Sequence, residues 1–458
     1  MDSKPKVNRK TNWAGNETWC CQETVCPASL QELQDCVRYS EKHNIKIKAI
    51  GAAHSFSDCA ATSGIQIDLK HLNKIISFNP RTKVIEAEAG IRLKDLYLFF
   101  NNNNVALPSI PNVDEITLGG AISNATHGTN IFYGTYSSLV REIKLVTANG
   151  EMLQLQDDAR NTKGQQRFEA ALASFGALGI FYSITLKLEE SYDVLVQRYS
   201  TALKDINDEI ESLARKHDGV QFMLFPLQGL AFIKTQDKIR CGLQPYSKQS
   251  IRSIWVFESI LWMFKPKRWQ LLTKLFQKVF NSKIFLSILR KLYNSSNVTN
   301  WSDGELSRHK SRFFNMEYAI PISRVKEALD AIFHTTQEFN HTGAYIRCLP
   351  FILRPVGADT LGFLSPTYQR DTCYIDILFQ AADSNEISFY AQLEKDLLRV
   401  DGRVSWSRKF FASSEDILQR YSHHTKFLDV MEELDPKGIF VNSFVSRIFE
   451  SGSKQSPH

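Results

Sequence analysis

The chain has 458 residues, of which 43% are hydrophobic, 11% aromatic and 23% charged, with a net charge of +6. That length and composition predict two or three domains with sizeable cores and exclude bulk disorder. The positive balance is local: residues 251–293 hold nine basic residues against one acid, +8, which leaves the rest of the chain at −2, so general nucleic-acid binding is not indicated.

The capping box Ser29-Leu30-Gln31-Glu32 predicts a helix to about His43. The apolar run Ile45–Ile50 predicts a buried strand, and Ile65–Leu69 and Val84–Ala89 predict two more, followed by a short helix over Leu93–Asn101. Asn149-Gly150 joins Ile143–Thr147 to Met152–Leu155 as a hairpin. These elements make a mixed α+β unit over residues 12–190. A second unit, 191–410, holds a strand Met316–Ile322 closed by Pro321, then a helix Arg324–Phe339 capped by Ser323, then strands Ala344–Leu349 and Thr372–Phe379. Strand–helix–strand order predicts an antiparallel sheet backed by helices. The segment 411–450 carries a last helix, Glu415–Leu434, between Ser413-Ser414 and Asp435-Pro436. The eight cysteines form no C-x-x-C unit and read as reduced thiols, with no disulfide framework and no metal site. No cleaved leader is evident, so a cytoplasmic location is expected.

Three blocks carry chemistry. Gly51-Ala52-Ala53-His54-Ser55 follows the first strand, and its small side chains let backbone N–H groups approach an anion while one imidazole is presented. Read alone, this is equally a turn with a solvated His. Residues 116–140 contain no Lys, Arg, Asp or Glu, yet the stretch from Leu118 to Asn130 is rich in Gly, Ser, Thr and Asn. It offers donors without fixed charge, which suits a large cofactor. Ser174-Phe175-Gly176-Ala177-Leu178-Gly179-Ile180 is a third glycine-marked turn running into a strand.

In this order, and with Asn12-Trp13-Ala14-Gly15-Asn16 and Leu434-Asp435-Pro436-Lys437-Gly438-Ile439-Phe440-Val441-Asn442, these blocks resemble FAD-linked oxidases of the vanillyl-alcohol oxidase type, closest to the aldonolactone and alditol oxidases. The resemblance implies a two-part PCMH-type FAD-binding domain with a cap domain over the flavin. It implies oxidation of a CH–OH group of a sugar lactone or polyol. It also implies FAD carried covalently by His54, an imidazole that is nucleophilic when neutral; the alternative is a non-covalent cofactor with His54 as pocket wall. Ile50, Gly51, Ala52, Ala53, His54 and Ser55 would hold the pyrophosphate, and Asn112, Thr117, Gly120, Asn124, Ala125, Thr126 and His127 would surround the flavin. Ile180 would make a backbone contact near the adenine, or be core. Ala125 stands where many such oxidases have Gly, which leaves open whether oxygen or another acceptor takes the electrons.

The substrate side departs from that pattern. The Glu-x-Arg of these oxidases reads Ile352-Leu353-Arg354, their strand His and Thr read Asp376 and Leu378, and their His-Trp-x-Lys reads Ser405-Trp406-Ser407-Arg408. Arg354 and Arg408 can stabilise an alkoxide but cannot act as bases. Asp376 is the candidate base if it points inward; on an alternating strand it equally faces solvent. The segment 251–293 interleaves Trp255, Trp262 and Trp269 with cations, and Arg268–Asn281 and Ile284–Tyr293 have helical spacing. This fits an interfacial helix pair on an anionic membrane, which would make the enzyme peripheral and its substrate a lipid-linked sugar; the alternative is a cap-domain hairpin whose apolar face is core. A flavoprotein that has lost catalysis is a further reading, supported by the missing acid at Ile352.

Overall fold

The computed structural model describes residues 8–206, 208–239, 283–303, 314–341, 350–379 and 384–449. The expected strand Ala344–Leu349 and helix Arg268–Asn281 lie outside them.

Helix α1, Leu30–His43, starts where Ser29 Oγ accepts the Glu32 N–H at 3.2 Å. The capping box is only half made: the Glu32 carboxylate reaches one residue further out, to the Ala28 N–H at 2.9 Å. Asn44, in the left-handed region at φ 52°, ends the helix, and the Ile45 N–H folds back to the Ser40 carbonyl. The following strand therefore begins at Ile47, two residues later than the apolar run suggests. A three-stranded parallel sheet results, β1 (Glu23–Val25), β2 (Ile47–Ile50) and β3 (Ile65–Asp68), with β3 in the middle.

Beside it lies a five-stranded antiparallel sheet of β4 (Ile75–Asn79), β5 (Val84–Glu88), β6 (Val140–Val146), β7 (Met152–Gln156) and β8 (Ile180–Lys187), in the order β7-β6-β8-β5-β4. Helices α2 (Leu93–Asn102), α3 (Leu118–Ser123) and α4 (Thr162–Ala171) complete this unit. Leu93, Leu96, Phe100, Leu118 and Ile122 join Ile85, Ile143 and Ile184 in one buried core.

The second unit is an eight-stranded antiparallel sheet: β9 (Asp193–Ala202), β10 (Gly219–Phe225), β11 (Leu230–Ile239), β12 (Ser295–Asn300), β13 (Phe314–Pro321), β14 (Phe351–Val356), β15 (Thr372–Phe379) and β16 (Arg403–Val404), in the order β12-β9-β11-β10-β14-β15-β13-β16. Helix α5 (Lys283–Tyr293) lays Leu289 and Tyr293 on Phe225, Leu230 and Phe232. Its apolar face is thus core, while Ile288 is 49% exposed beside exposed Arg290 and Lys291. Among the described residues, no helix is long and apolar enough to cross a membrane.

Helices α6 (Val325–His341) and α7 (Ser384–Arg399) back this sheet, and Thr335 Oγ1 donates to Asp396 at 2.7 Å between them. Ser323 does not cap α6. It lies inside a 3₁₀ turn, Ile322–Arg324, that Pro321 starts while still paired with Thr372 at the end of the sheet.

The expected final helix is broken. Helix α8 (Ser414–Leu418) has a complete capping box between Ser413 and Asp416, and a separate α9 spans His424–Leu434. Between them Tyr421 turns inward, 2% exposed, onto Trp406 at a ring separation of 5.2 Å. Burying that aromatic outweighs helix continuity. A further helix, α10 (Ser443–Phe449), was not expected from the sequence.

Candidate active site

The three small-residue blocks come together at the C-terminal end of β2. The segment from Asn12 to Asn16 braces the loop: Trp13 N–H donates to the Ala53 carbonyl at 2.7 Å, Asn12 Nδ2 to Ser55 at 2.9 Å and Asn16 Nδ2 to Phe56 at 2.8 Å. Ala53 sits in the left-handed region, φ 54°. The backbone N–H groups of Ala52, Ala53, His54 and Ser55 find no protein acceptor among the described residues. Consecutive donors around a left-handed residue form an anion-binding nest. Ile50 is the last residue of β2 and pairs with Asp68. A Cβ at Gly51 would stand 2.3 Å from Thr117 Oγ1, so any larger residue there would displace that hydroxyl.

That same Thr117 oxygen caps α3 by accepting the Gly120 N–H at 3.3 Å. Asn124 ends α3, its Nδ2 bonded to the Gly120 carbonyl at 3.1 Å and its Oδ1 accepting from Cys59 Sγ at 3.6 Å. Ala125 is buried at φ 52°, and Thr126 N–H bonds back to Ala121 at 2.9 Å. The third block docks here through Phe175 N–H to the Ser123 carbonyl at 2.9 Å and through Lys48 Nζ to the Gly176 carbonyl at 3.1 Å. Ala53, Ala125, Ala173 and Phe175 are four of the nine non-glycine residues with positive φ among the described residues. Strain of this kind gathers where the surroundings over-determine the backbone, as at ligand sites. Asn112 is half-buried in the loop before Thr117, and Ile180 is buried at the start of β8 opposite Val146, a core position.

His54 stacks on Trp13 with ring centres 4.9 Å apart. Burial, with Arg408 and Arg92 nearby, pushes its imidazole down to about 4 against the pull of Glu115. It is therefore neutral at pH 7, the nucleophilic form.

Two hydrogen bonds dock the His54 loop on the second unit: Phe56 N–H to the Ser407 carbonyl at 2.6 Å, and Ser57 Oγ to the Trp406 carbonyl at 2.7 Å. The turn they hold carries Arg408, whose guanidinium lies 5.0 Å from the Phe56 ring centre. Arg408 Nε donates to Glu317 Oε2 at 3.2 Å, and Arg354 Nη2 donates to Glu317 Oε1 and, at 3.3 Å, to Asp376 Oδ2. Asn315 Nδ2 donates to Asp376 Oδ1. Asp376 points inward. It stands in one row with Ile352 on β14 and Glu317 on β13, directly opposite each. His127 crosses from the first unit to this cluster, its Nε2 3.4 Å from Glu317 Oε1 and its ring stacked on Tyr374.

The electrostatics separate the two acids. Burial raises Glu317, but Arg408, Arg354 and His127 together hold its carboxyl well below the usual range. Burial and the Glu317 charge push Asp376 up to about 6, against the pull of Arg354, Arg408 and the Asn315 hydrogen bond. Two carboxyls with divergent environments are the usual basis of an acid–base assignment. Sequence reasoning missed Glu317 and Asn315. The signal was a lone carboxylate in the otherwise apolar run Met316–Ile322, since an unpaired charge in a buried strand is costly.

A nest at a strand end, a charge-free donor-rich loop and a cap sheet bringing arginines and carboxyls to the nest's edge define an FAD-dependent oxidoreductase acting on CH–OH donors. The FAD binding domain model matches residues 22–156, and the D-arabinono-1,4-lactone oxidase model matches residues 184–448. The chain belongs to the D-arabinono-1,4-lactone oxidase family. It is 26% identical over 453 residues to L-gulonolactone oxidase of Mus musculus, covering 96% of this chain and 97% of that one. It is 27% identical over 444 residues to L-gulono-1,4-lactone dehydrogenase of Mycobacterium tuberculosis, covering 96% and 98%. Its fold matches cholesterol oxidase from B. sterolicum with a TM-score of 0.77 at 16% identity, over 96% of both chains.

Proposed function

We propose that the chain oxidises a CH–OH carbon of a sugar lactone or polyol, with FAD attached to His54. The observation that carries this reading is the docking of the Arg354–Glu317–Arg408–Asp376 cluster on the His54 loop through Phe56–Ser407 and Ser57–Trp406. The bound FAD supplies the hydride acceptor, its N5. Ala52–Ser55 would hold its pyrophosphate by backbone donors, and the uncharged loop around Thr117–His127 would enclose its ring system without fixing a charge beside it. Arg354 and Arg408 bind the substrate oxygen and stabilise the negative charge that develops on it. Asp376 takes the hydroxyl proton, since its raised carboxyl is poised near neutrality. Half-buried Ile352 stands in the row opposite Asp376 and half-buried Leu378 lies two residues along β15 from it; together they select for a substrate with an apolar face there.

The test is anaerobic addition of L-gulono-1,4-lactone, D-arabinono-1,4-lactone and xylitol to the holoprotein. Bleaching of the oxidised flavin band by at least one is expected; no bleaching by any would sink the reading. Precipitation in acid should leave the flavin fluorescence on the chain.

A second reading places the enzyme on an anionic membrane, with a lipid-linked sugar as substrate. It is favoured by the +8 charge of residues 251–293 and by exposed Ile288 beside Arg290 and Lys291. Against it, the apolar face of α5 is occupied by the cap core.

A further inference from the structure

Glu317 is 1% exposed, and both of its oxygens are occupied. Its partners come from three places: Arg354 from β14, Arg408 from the turn after β16, and His127 from the loop after α3. No other carboxyl among the described residues bridges the cofactor unit and both site arginines. Asp376 faces Glu317 and Asn315 from β13, Arg354 from β14 and Arg408 from the turn. With both acids ionised, two guanidiniums balance two carboxylates. Without Glu317 the two cations would act on Asp376 alone, and an opposite charge within a few ångströms favours the charged form by about 1–3 pH units. An acid so held would make a poor proton acceptor.

We propose that Glu317 is a positioning residue for the oxidation set out above: it fixes the guanidiniums of Arg354 and Arg408 and keeps Asp376 basic enough to take the substrate's hydroxyl proton. It never touches the substrate. His127 sets it in turn, so that the cofactor loop and the substrate arginines share one anchor. The inference rests on the reading of Asp376 as the base.

The test is Glu317→Gln in the holoprotein, a change that keeps the shape and removes the charge. The Asp376 titration is followed by infrared difference spectroscopy, with its carboxyl band assigned by its disappearance in Asp376→Asn. The expected result is a fall in the Asp376 midpoint of about one pH unit or more. The rate of flavin reduction at saturating L-gulono-1,4-lactone should fall on the order of 10²-fold, the scale of misplaced preorganised donors. A midpoint that does not move overturns the proposal even if the rate drops, because a purely structural residue would behave that way. The titration needs no substrate, so a failure of every lactone to react would count against the function and leave this test intact. If Glu317→Gln yields no holoprotein, Glu317→Asp carries the test. With the charge kept, the midpoint should stay near the wild-type value while the reduction rate drops, and a midpoint displaced as by a lost charge overturns the idea.

Discussion

Ile352 and Asp376 face each other across β14 and β15. An apolar side chain thus stands where the resembling lactone and alditol oxidases carry an acid, and the acid stands one strand away, 3.3 Å from the retained Arg354. The site keeps a carboxylate beside its arginine but offers it from the neighbouring strand. Asp376→Asn should retain flavin and lower kcat by ~10²–10⁴-fold, the usual range for a general base. The sign of the pH dependence follows from the raised carboxyl: below about 6 it is protonated and idle, so kcat should rise as pH passes upward through about 6. That limb should vanish in the variant; a persisting limb would assign it to another group.

His54→Ala should fold and still bind FAD through the loop and α3, but the flavin should be freed by acid. Because burial holds the imidazole at about 4, flavin attachment to apoprotein should be insensitive to pH across the neutral range. The chain-bound fluorescence after acid precipitation is the readout, and flavin retained by the variant would exclude His54 as the attachment point.

Asn442 Nδ2 lies 3.1 Å from the Cys59 carbonyl and 2.8 Å from that of Ala61, while Arg447 pairs with both oxygens of Asp58. The C-terminal segment therefore staples the stretch that follows His54. Asn442→Ala removes the donor from these partly buried carbonyls, at about 1–3 kcal/mol. Its melting temperature should fall and its FAD content should fall with it, measured by thermal denaturation and the ratio of flavin to protein absorbance.

Asp359 is a fully enclosed carboxylate served by Thr135 N–H at 3.0 Å, Thr135 Oγ1 at 2.6 Å, Ser365 Oγ at 2.5 Å and Thr367 Oγ1 at 2.9 Å. It joins the turn before β6 to the loop between β14 and β15. Asp359→Ala strands these donors and should cost several kcal/mol, with the flavin chemistry of surviving protein unchanged. Denaturant titration checks this, and a loss under ~1 kcal/mol would show the joint to be slack.

If residues 251–293 dock on membrane, the protein should float with anionic vesicles and not with neutral ones, and release as salt rises, because each engaged cation adds ~1 kcal/mol within a Debye length. Lys265, Lys267, Arg268, Lys274 and Lys278 changed together to Gln should abolish flotation with flavin incorporation intact. Equal binding to neutral vesicles, or none to either, counts against the membrane reading.

Local physics carried much of this protein in its sequence. Small residues after an apolar run announced the nest at Gly51–Ser55, Asn149-Gly150 its hairpin, and Ser413 a helix start, because each depends on neighbours within a few positions. Arg354, Arg408 and Asp376 were legible as residue types suited to alkoxide chemistry. Their arrangement was not. Which face of β15 turns inward, that Glu317 answers both arginines and that His127 reaches them from the other unit depend on strand register and on pairings 22 to 190 residues apart along the chain. The break at Tyr421 came from the same source: burying one aromatic on Trp406 outweighed a run of helix-forming residues. Tertiary packing decided these points because a buried charge or ring is worth more in free energy than the local preferences that oppose it.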